Sequence, residues 1–454
     1  MTNDPRLFLA IDNCFASKRW TRPGQWIPMI KELGLRYVES SADTECDPLY
    51  MPGDYLRDWL RDVRAECARH GVVVANLYSG HGTYNTLGLA HTDARVRKHM
   101  ADKWIKAYLA IARELGAGVG FYCHAFNQDV LQDAALYRRE VESLYETLLD
   151  ISQYNREIGG GNISVEQMYT PHQYPWTIES ASDMICRAGV RVTLDAGHQT
   201  GQDRFLKPSP EQVEIACAPG GGYIWVGTEA AHKLQREAQA GRLSVPRAVN
   251  GILDDMSQNP QLFSKPEDSN LYAWLENLGC YSPILHLQQT NGRQSKHDSF
   301  SFFAGPDDKV HPEAVLEALA RSYGQGRGAY AAAGAGNAGN AATEAGNAGN
   351  AATGAGNTGS AAVCAYNAGK SIDSGVSKQC DAGRSIDSGV SKCETIFLTL
   401  ELFYSTSAYP AEIVSRLRES VAFWRAFIPE DGMRLSEALS RIRMHELRKG
   451  GRCP

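Results

Sequence analysis

Arg191-Val-Thr-Leu-Asp-Ala-Gly-His198 is a short apolar run that ends on a carboxylate. Side chains of a strand alternate faces. Val192 and Leu194 therefore share one face, and Thr193 and Asp195 the other. Three further runs repeat the pattern. Asn162-Ile-Ser-Val-Glu-Gln sets Glu166 opposite Ile163 and Val165. Ile284-Leu-His-Leu-Gln288 sets His286 against Leu285 and Leu287, and Ile396-Phe-Leu-Thr-Leu-Glu-Leu sets Glu401 against Leu398 and Leu400. A small hydroxyl often stands two residues earlier (Ser164, Thr193, Thr399). One apolar and one polar parity fit parallel strands that pack on helices outside and face a barrel inside. For a single buried polar residue, hydrogen bonding to its neighbours is a sufficient reading. For four at matching depth, desolvating three carboxylates is costly without a cation. Glu166, Asp195, His286 and Glu401 are therefore expected to hold one divalent cation. An oxygen-rich set with one imidazole suits Mn²⁺, Mg²⁺ or Co²⁺ and admits Zn²⁺.

Outward from these runs, strands and amphipathic helices alternate. Leu7-Phe-Leu-Ala-Ile-Asp12, Leu35-Arg-Tyr-Val-Glu39, Val72-Val-Val-Ala-Asn-Leu77 and 117–123 read as four earlier strands. Helices are expected over 26–33, 54–70, 93–115 and 133–157, the first three closed by Gly34, Gly71 and Gly116. Eight strand–helix units predict an α/β fold, a (β/α)8 TIM barrel with its site at the C-terminal strand ends. An open doubly wound sheet is the rival. It fits less well, because the first strand lacks a Gly-rich turn and the polar ends come from at least four strands.

Two stretches break the rhythm. Residues 199–282 are long for one connection and are expected to hold extra helices over the barrel mouth. Residues 324–393 contain Ala-Gly-Asn-Ala-Gly-Asn-Ala-Ala-Thr at 335–343 and 345–353, and Ser-Ile-Asp-Ser-Gly-Val-Ser-Lys at 371–378 and 385–392. They are poor in large apolar residues, so they read as a disordered low-complexity insertion before the last strand. A repeat-built binding module would need recurring apolar positions. The expected organisation is 1–323 for the first seven barrel units, 324–393 for the insertion, and 394–454 for the last strand, closing helix and tail.

With 43% hydrophobic and 22% charged residues the composition is globular, and the net charge of -6 argues against a nucleic-acid partner. No apolar run approaches the ~20 residues of a membrane span. No basic and apolar leader opens the chain, and 11 cysteines without a Cys-x-x-Cys pair read as reduced thiols. These features predict a cytoplasmic protein with neither membrane nor nucleic-acid partner; the choice between monomer and homo-oligomer stays open.

Other polar residues fall near the same rim. His198 follows a strand end directly and is expected to touch substrate or support a ligand. Glu39, His81 and His124 also lie at or beyond strand ends, where pocket lining and a structural role weigh equally. Trp20, Tyr84, Tyr169 and Trp176 could wall a sugar pocket or simply pack. The stretch Gln288-Gln-Thr-Asn-Gly-Arg293-Gln-Ser-Lys296-His297 offers Arg293 and Lys296 to a substrate phosphate, with a solvated loop as the plain alternative.

The motifs Ser164-Val-Glu-Gln-Met, Thr193-Leu-Asp-Ala-Gly-His198, Leu285-His286-Leu-Gln and Leu400-Glu401 resemble those of the xylose isomerase-like barrels, which include the ketose 3-epimerases. The resemblance spans about 1–323 and 394–430. It implies that Glu166 and Glu401 bind the metal and also act as the acid/base pair on the two faces of a substrate. Asp195 and His286 would complete the metal shell, and His198 would contact substrate. One departure is that close ketose epimerases usually have a shorter connection after the Asp195 position. The implied activity is a metal-dependent isomerase or epimerase of a small ketose or ketose phosphate, moving a proton beside a carbonyl through an enediolate. The alternative is a lyase, a dehydratase or decarboxylase, on the same barrel. A DNA-repair endonuclease would need more His ligands and a basic face, and a non-catalytic sugar-binding protein would not require both Glu166 and Glu401.

Overall fold

The computed structural model describes residues 4–80, 86–303, 305, 307–324 and 390–450. Eight strands run parallel: β1 Arg6–Asp12, β2 Tyr37–Ser41, β3 Val73–Ser79, β4 Gly118–Phe121, β5 Ile163–Glu166, β6 Arg191–Asp195, β7 Ile284–Leu287 and β8 Thr395–Leu400. They pair in chain order, β8 pairs with β1, and β1 pairs with β2, so the sheet closes into the expected (β/α)8 barrel. β2 meets β1 only at Ala10–Asp12. The edge left below, at Arg6 and Leu7, is covered by an antiparallel two-residue strand, β9 Met433–Arg434. Covering it removes an unpaired edge from an otherwise closed sheet.

Side-chain alternation sorts the residues as the sequence pattern requires. Leu7, Leu9, Ile11, Val119, Phe121, Val165, Val192, Leu194, Leu285, Leu287, Leu398 and Leu400 are each at most 2% exposed. They pack beneath helices that contribute Trp26, Trp104, Trp274 and Trp424, all fully buried. Each such side chain contributes roughly 1.5–3 kcal/mol by leaving water. The other parity fills the barrel. Phe8, Tyr37 and Phe397 cluster with ring centroids 4.7, 5.1 and 5.8 Å apart. Higher up, Thr193 Oγ1 donates to Ser164 Oγ at 2.7 Å, which satisfies two of the inward hydroxyls.

Several boundaries differ from expectation for local reasons. Leu35 belongs to the turn that ends the first helix, Pro23–Glu32: Gly34 takes φ +76 and the Leu35 amide donates to Ile30 O at 3.1 Å. β3 runs two residues further than expected, to Ser79. The helix expected over 93–115 is interrupted by a π-helical turn, Ala101–Ile105, between Ala94–Met100 and Lys106–Leu115. That turn buries Trp104, whose Nε1 donates to Ser79 Oγ at 2.8 Å. The long connection after β6 does hold extra helices, Pro210–Cys217, Glu229–Gln239, Val245–Gln258 and Leu271–Leu278. Glu229 N donates to Gln132 Oε1 at 2.7 Å, and Trp176, Phe205 and Trp225 stack edge to face, so these helices sit beside the loops after β4 and β5.

Most of the stretch read as an insertion lies outside the described residues. Its described end is bonded to the barrel. Cys393 N donates to Cys280 O at 2.8 Å, Tyr323 Oη to Cys393 O at 2.7 Å, and Lys392 Nζ to Ser322 O at 2.9 Å. The last unit therefore begins before 394, because the backbone groups of Ser391 and Cys393 and the side chain of Lys392 find partners on the barrel. All eight cysteines among the described residues are free thiols. No helix among them is long and apolar enough to cross a membrane.

Candidate active site

Strand register carries the four polar ends to one place. Glu166 and Asp195 close β5 and β6, His286 is the third residue of β7, and Glu401 follows β8. Asp195 lies beside His286, and Leu287 beside Leu400. The Glu401 amide donates to Leu287 O at 3.0 Å, which continues the ladder one residue past β8. One ligand atom from each of Glu166, Asp195, His286 and Glu401 lies within 4.8 Å of all the others, and all four residues are buried. His286 Nδ1 stands 3.1 Å from Glu166 Oε1, 3.4 Å from Glu401 Oε2 and 4.0 Å from Asp195 Oδ2.

Neighbours hold each group. Asp195 Oδ1 accepts from the amides of Gly197 at 2.5 Å and His198 at 3.1 Å. Gln288 Nε2 donates to Asp195 Oδ1 at 2.9 Å and to Oδ2 at 3.0 Å. The Tyr78 hydroxyl donates to Glu166 Oε2. Burial pushes the Glu401 carboxyl well up against the pull of His286, and the charges of Asp195 and Glu166 add to the push. For Asp195, burial is outweighed by His198, His297, a hydrogen bond with Glu401 and His286, so its carboxyl is lowered. Burial disfavours a charged His286, but the charges of Glu401 and Glu39 and the hydrogen bonds that the ring donates to Glu166 and Glu39 outweigh it and raise the imidazole.

The residues fit a divalent cation. Metal–ligand bonds of about 2.1 Å, at angles from a right angle upward, separate ligand atoms by about 3 to 4 Å. The three separations from Nδ1 lie in that interval. Glu401 Oε2 is buried without a hydrogen-bond partner, a cost that a bound cation removes. Three carboxylates and one imidazole are the donor set of an oxygen-preferring metal.

The remaining sequence candidates separate by position. His198 reaches the centre: its Nδ1 lies 2.8 Å from Gln167 O, and its Nε2 3.8 Å from Asp195 Oδ2. Glu39 also reaches it, with Oε2 2.7 Å from His286 Nε2. His124 turns elsewhere. It is fully buried, accepts from Leu89 N at 3.3 Å and packs on Trp104 with centroids 4.8 Å apart. Arg293 and Lys296 stand exposed on the rim loop. Arg293 O accepts from Arg204 Nη2 at 3.1 Å, and Lys296 Nζ lies 3.9 Å from Asp298 Oδ2. An exposed pair such as Lys296 and Asp298 contributes little, because both charges stay hydrated. His81 and Tyr84 lie outside the described residues.

Three residues at the centre escaped sequence reading. Gln288 shares the parity of His286 and could have been found by alternation two residues on. Tyr78 shares the parity of Asn76, but lay past the expected end of its strand. His297 sits on a loop without periodicity. Its Nδ1 comes 3.4 Å from Glu401 Oε2, its amide donates to Gln288 Oε1 at 2.6 Å, and its φ is +52.

Comparison with known proteins agrees with this fold. Residues 27–224 match the family model described as xylose isomerase-like TIM barrel. The resemblance read from the strand-end motifs is thereby borne out: over that stretch the chain is similar to the xylose isomerase-like TIM barrels, and its closed sheet of eight parallel strands has the same architecture. A curated relative, D-erythrulose 1-phosphate 3-epimerase from Brucella abortus (strain 2308), is 20% identical over 267 residues, covering 58% of this chain and 68% of the relative. Among solved structures, a protein from Rhodospirillum rubrum ATCC 11170, described provisionally as a xylose isomerase, aligns with a TM-score of 0.56 at 13% identity. That alignment covers 92% of this chain and 97% of the other. At such identity it speaks for the fold alone.

Proposed function

We propose that the protein is an enzyme, a metal-dependent isomerase or epimerase of a small ketose or ketose phosphate. The observation that carries this reading is the pair Glu166 and Glu401, brought from strands 235 positions apart onto one imidazole nitrogen, His286 Nδ1, at 3.1 and 3.4 Å. Two carboxylates facing one buried point can remove and return a proton on the two faces of a substrate. The name of the Brucella relative, an epimerase of a ketose phosphate, supports the same reaction class.

In this reading Glu166, Asp195, His286 and Glu401 hold one divalent cation. When bound, it offsets the negative charge that builds on substrate oxygens as the proton leaves. Tyr78 holds one oxygen of Glu166 and leaves the other to face the centre. Gln288 and the amides of Gly197 and His198 keep both oxygens of Asp195 in place. His198 presents Nε2 to the pocket, since Nδ1 is committed to Gln167 O, and is assigned a substrate contact. Glu401, whose carboxylate also helps to hold the cation, is assigned the base, with Glu166 as its partner in the proton transfer.

Deuterium exchange tests the reading. A ketose or ketose phosphate substrate incubated in heavy water should gain deuterium on the carbon beside the carbonyl, with its mass otherwise conserved. Loss of water or CO₂ would assign a lyase instead. Glu401→Gln should lower exchange by ~10² or more, as for removal of a general base. Metal content must be measured in the same sample. Full exchange by a metal-loaded Glu401→Gln protein would place the base elsewhere.

A further inference from the structure

The two nitrogens of His286 face different surroundings. Nδ1 faces Glu166, Glu401 and Asp195, at separations suited to a shared cation. Nε2 faces Glu39 Oε2 at 2.7 Å, and both side chains are fully buried. That distance is shorter than the ~3 Å between two ligands at a right angle on one ion, and is ordinary for a charge-assisted hydrogen bond. Glu39 is itself fixed from behind: Asn76 Nδ2 donates to its Oε1 at 2.6 Å. A register shift between β2 and β3 makes this possible. Val38 pairs with Val74, but Glu39 pairs with Asn76, one residue further than regular pairing would give. Bulges of this kind re-aim side chains beside active sites.

We propose that Glu39 is a positioning residue: it holds the proton on His286 Nε2 and so commits Nδ1 to the cation. The inference rests on the cation reading above. Asn76, Glu39 and His286 then form a chain across the barrel from β3 through β2 to β7, ending on a metal ligand. A carboxylate behind a ligating imidazole fixes the ring's tautomer and orientation and makes it a better donor. The rival is a second cation among Asp12, Glu39 and His286, whose ligand atoms also lie within 4.8 Å of one another. Asp12 Oδ2 is buried without a hydrogen-bond partner, which favours such a site. Against it, the same imidazole would have to give up both its protons, and the 2.7 Å separation leaves no room for ordinary ligand spacing.

Zinc binding and the His286 tautomer test the proposal together. In Zn²⁺-loaded protein with ¹⁵N-labelled histidine, the His286 ring should carry its proton on Nε2, with the signal far downfield. Glu39→Gln should bind Zn²⁺ ~10- to 100-fold more weakly, the usual loss when such a supporting group is removed, and Glu39→Asp should recover part of that loss. Circular dichroism checks that each variant folds, and the wild-type tautomer is read whether or not they do. A proton on Nδ1 would overturn the proposal. So would wild-type affinity in Glu39→Gln, or two zinc ions per chain with one lost in Asp12→Asn. His286→Ala separates the levels. Unchanged zinc binding there would sink the cation reading itself, whereas loss there beside wild-type affinity in Glu39→Gln would sink only the role of Glu39.

Discussion

Gly197→Ala tests whether one side chain, Gln288, holds the rim together. Gly197 has φ -103, so alanine meets no backbone barrier. A Cβ there would come within 2.5 Å of Gln288 Oε1 and 2.8 Å of Nε2, too close without movement. Gln288 is fully buried and spans two jobs. Its Nε2 donates to both Asp195 oxygens at 2.9 and 3.0 Å. Its Oε1 accepts from Ser295 Oγ at 3.0 Å and from the amides of Lys296 and His297 at 3.0 and 2.6 Å. A hydrogen bond to a carboxylate contributes ~1.5–3 kcal/mol and a neutral one ~0.5–1.5 kcal/mol. Displacing the amide, with partial relaxation, should therefore cost about 2–4 kcal/mol. Because Asp195 loses its clamp, Mn²⁺ affinity should also fall by ~10- to 100-fold. Thermal melting and calorimetric titration of Mn²⁺ into chelator-treated protein measure the two effects. Gly24→Ala is the control, since its Cβ would meet nothing nearer than Glu66 Cδ at 3.9 Å. A Gly197→Ala protein that melts and binds Mn²⁺ like wild type would refute the argument.

Two further outcomes are expected. Burial, against a hydrogen bond at Cys123, holds the His124 imidazole down to about 3 from its ordinary 6.5. Above 6.5 this contributes nothing. As pH falls from 6.5 toward 3, the unfolded chain takes a proton that the folded chain refuses, so stability drops by up to ~1.4 kcal/mol per pH unit. His124→Gln should flatten that part of the denaturation profile between about pH 7 and about pH 5, and superimposable profiles would contradict it. Replacing residues 327–379 with a short Gly/Ser linker should leave melting and Mn²⁺ binding unchanged. The chain leaves and re-enters the barrel at one place, where Tyr323 Oη meets Cys393 O at 2.7 Å, so a short loop closes at little entropic cost. A lower melting temperature would show that the segment stabilises the barrel.

Alternation makes the centre legible in the sequence itself. A strand's two faces are set by local geometry, so a lone polar residue on the inner parity of an apolar run reveals itself in five or six residues. That suffices for Glu166, Asp195, His286 and Glu401, and eight such runs suffice for the barrel. Gly34 and Gly116 likewise stop helices through a local backbone need, with φ +76 and +67. Other features depend on closure of the sheet. Glu39 and His286 are 247 positions apart and meet only because β2 and β7 share one barrel interior, with a register shift that no local pattern encodes. His297 reaches Glu401 along an aperiodic loop. His124 is drawn inward by Trp104 and Leu89. Arg293 and Lys296 are expected at the mouth from their charge and their place after β7, and where their side chains stand on that loop, both exposed, is set by the loop's course and not by any local pattern. Residue type and spacing decide which face a side chain takes; only packing between distant elements decides which other side chain it meets there.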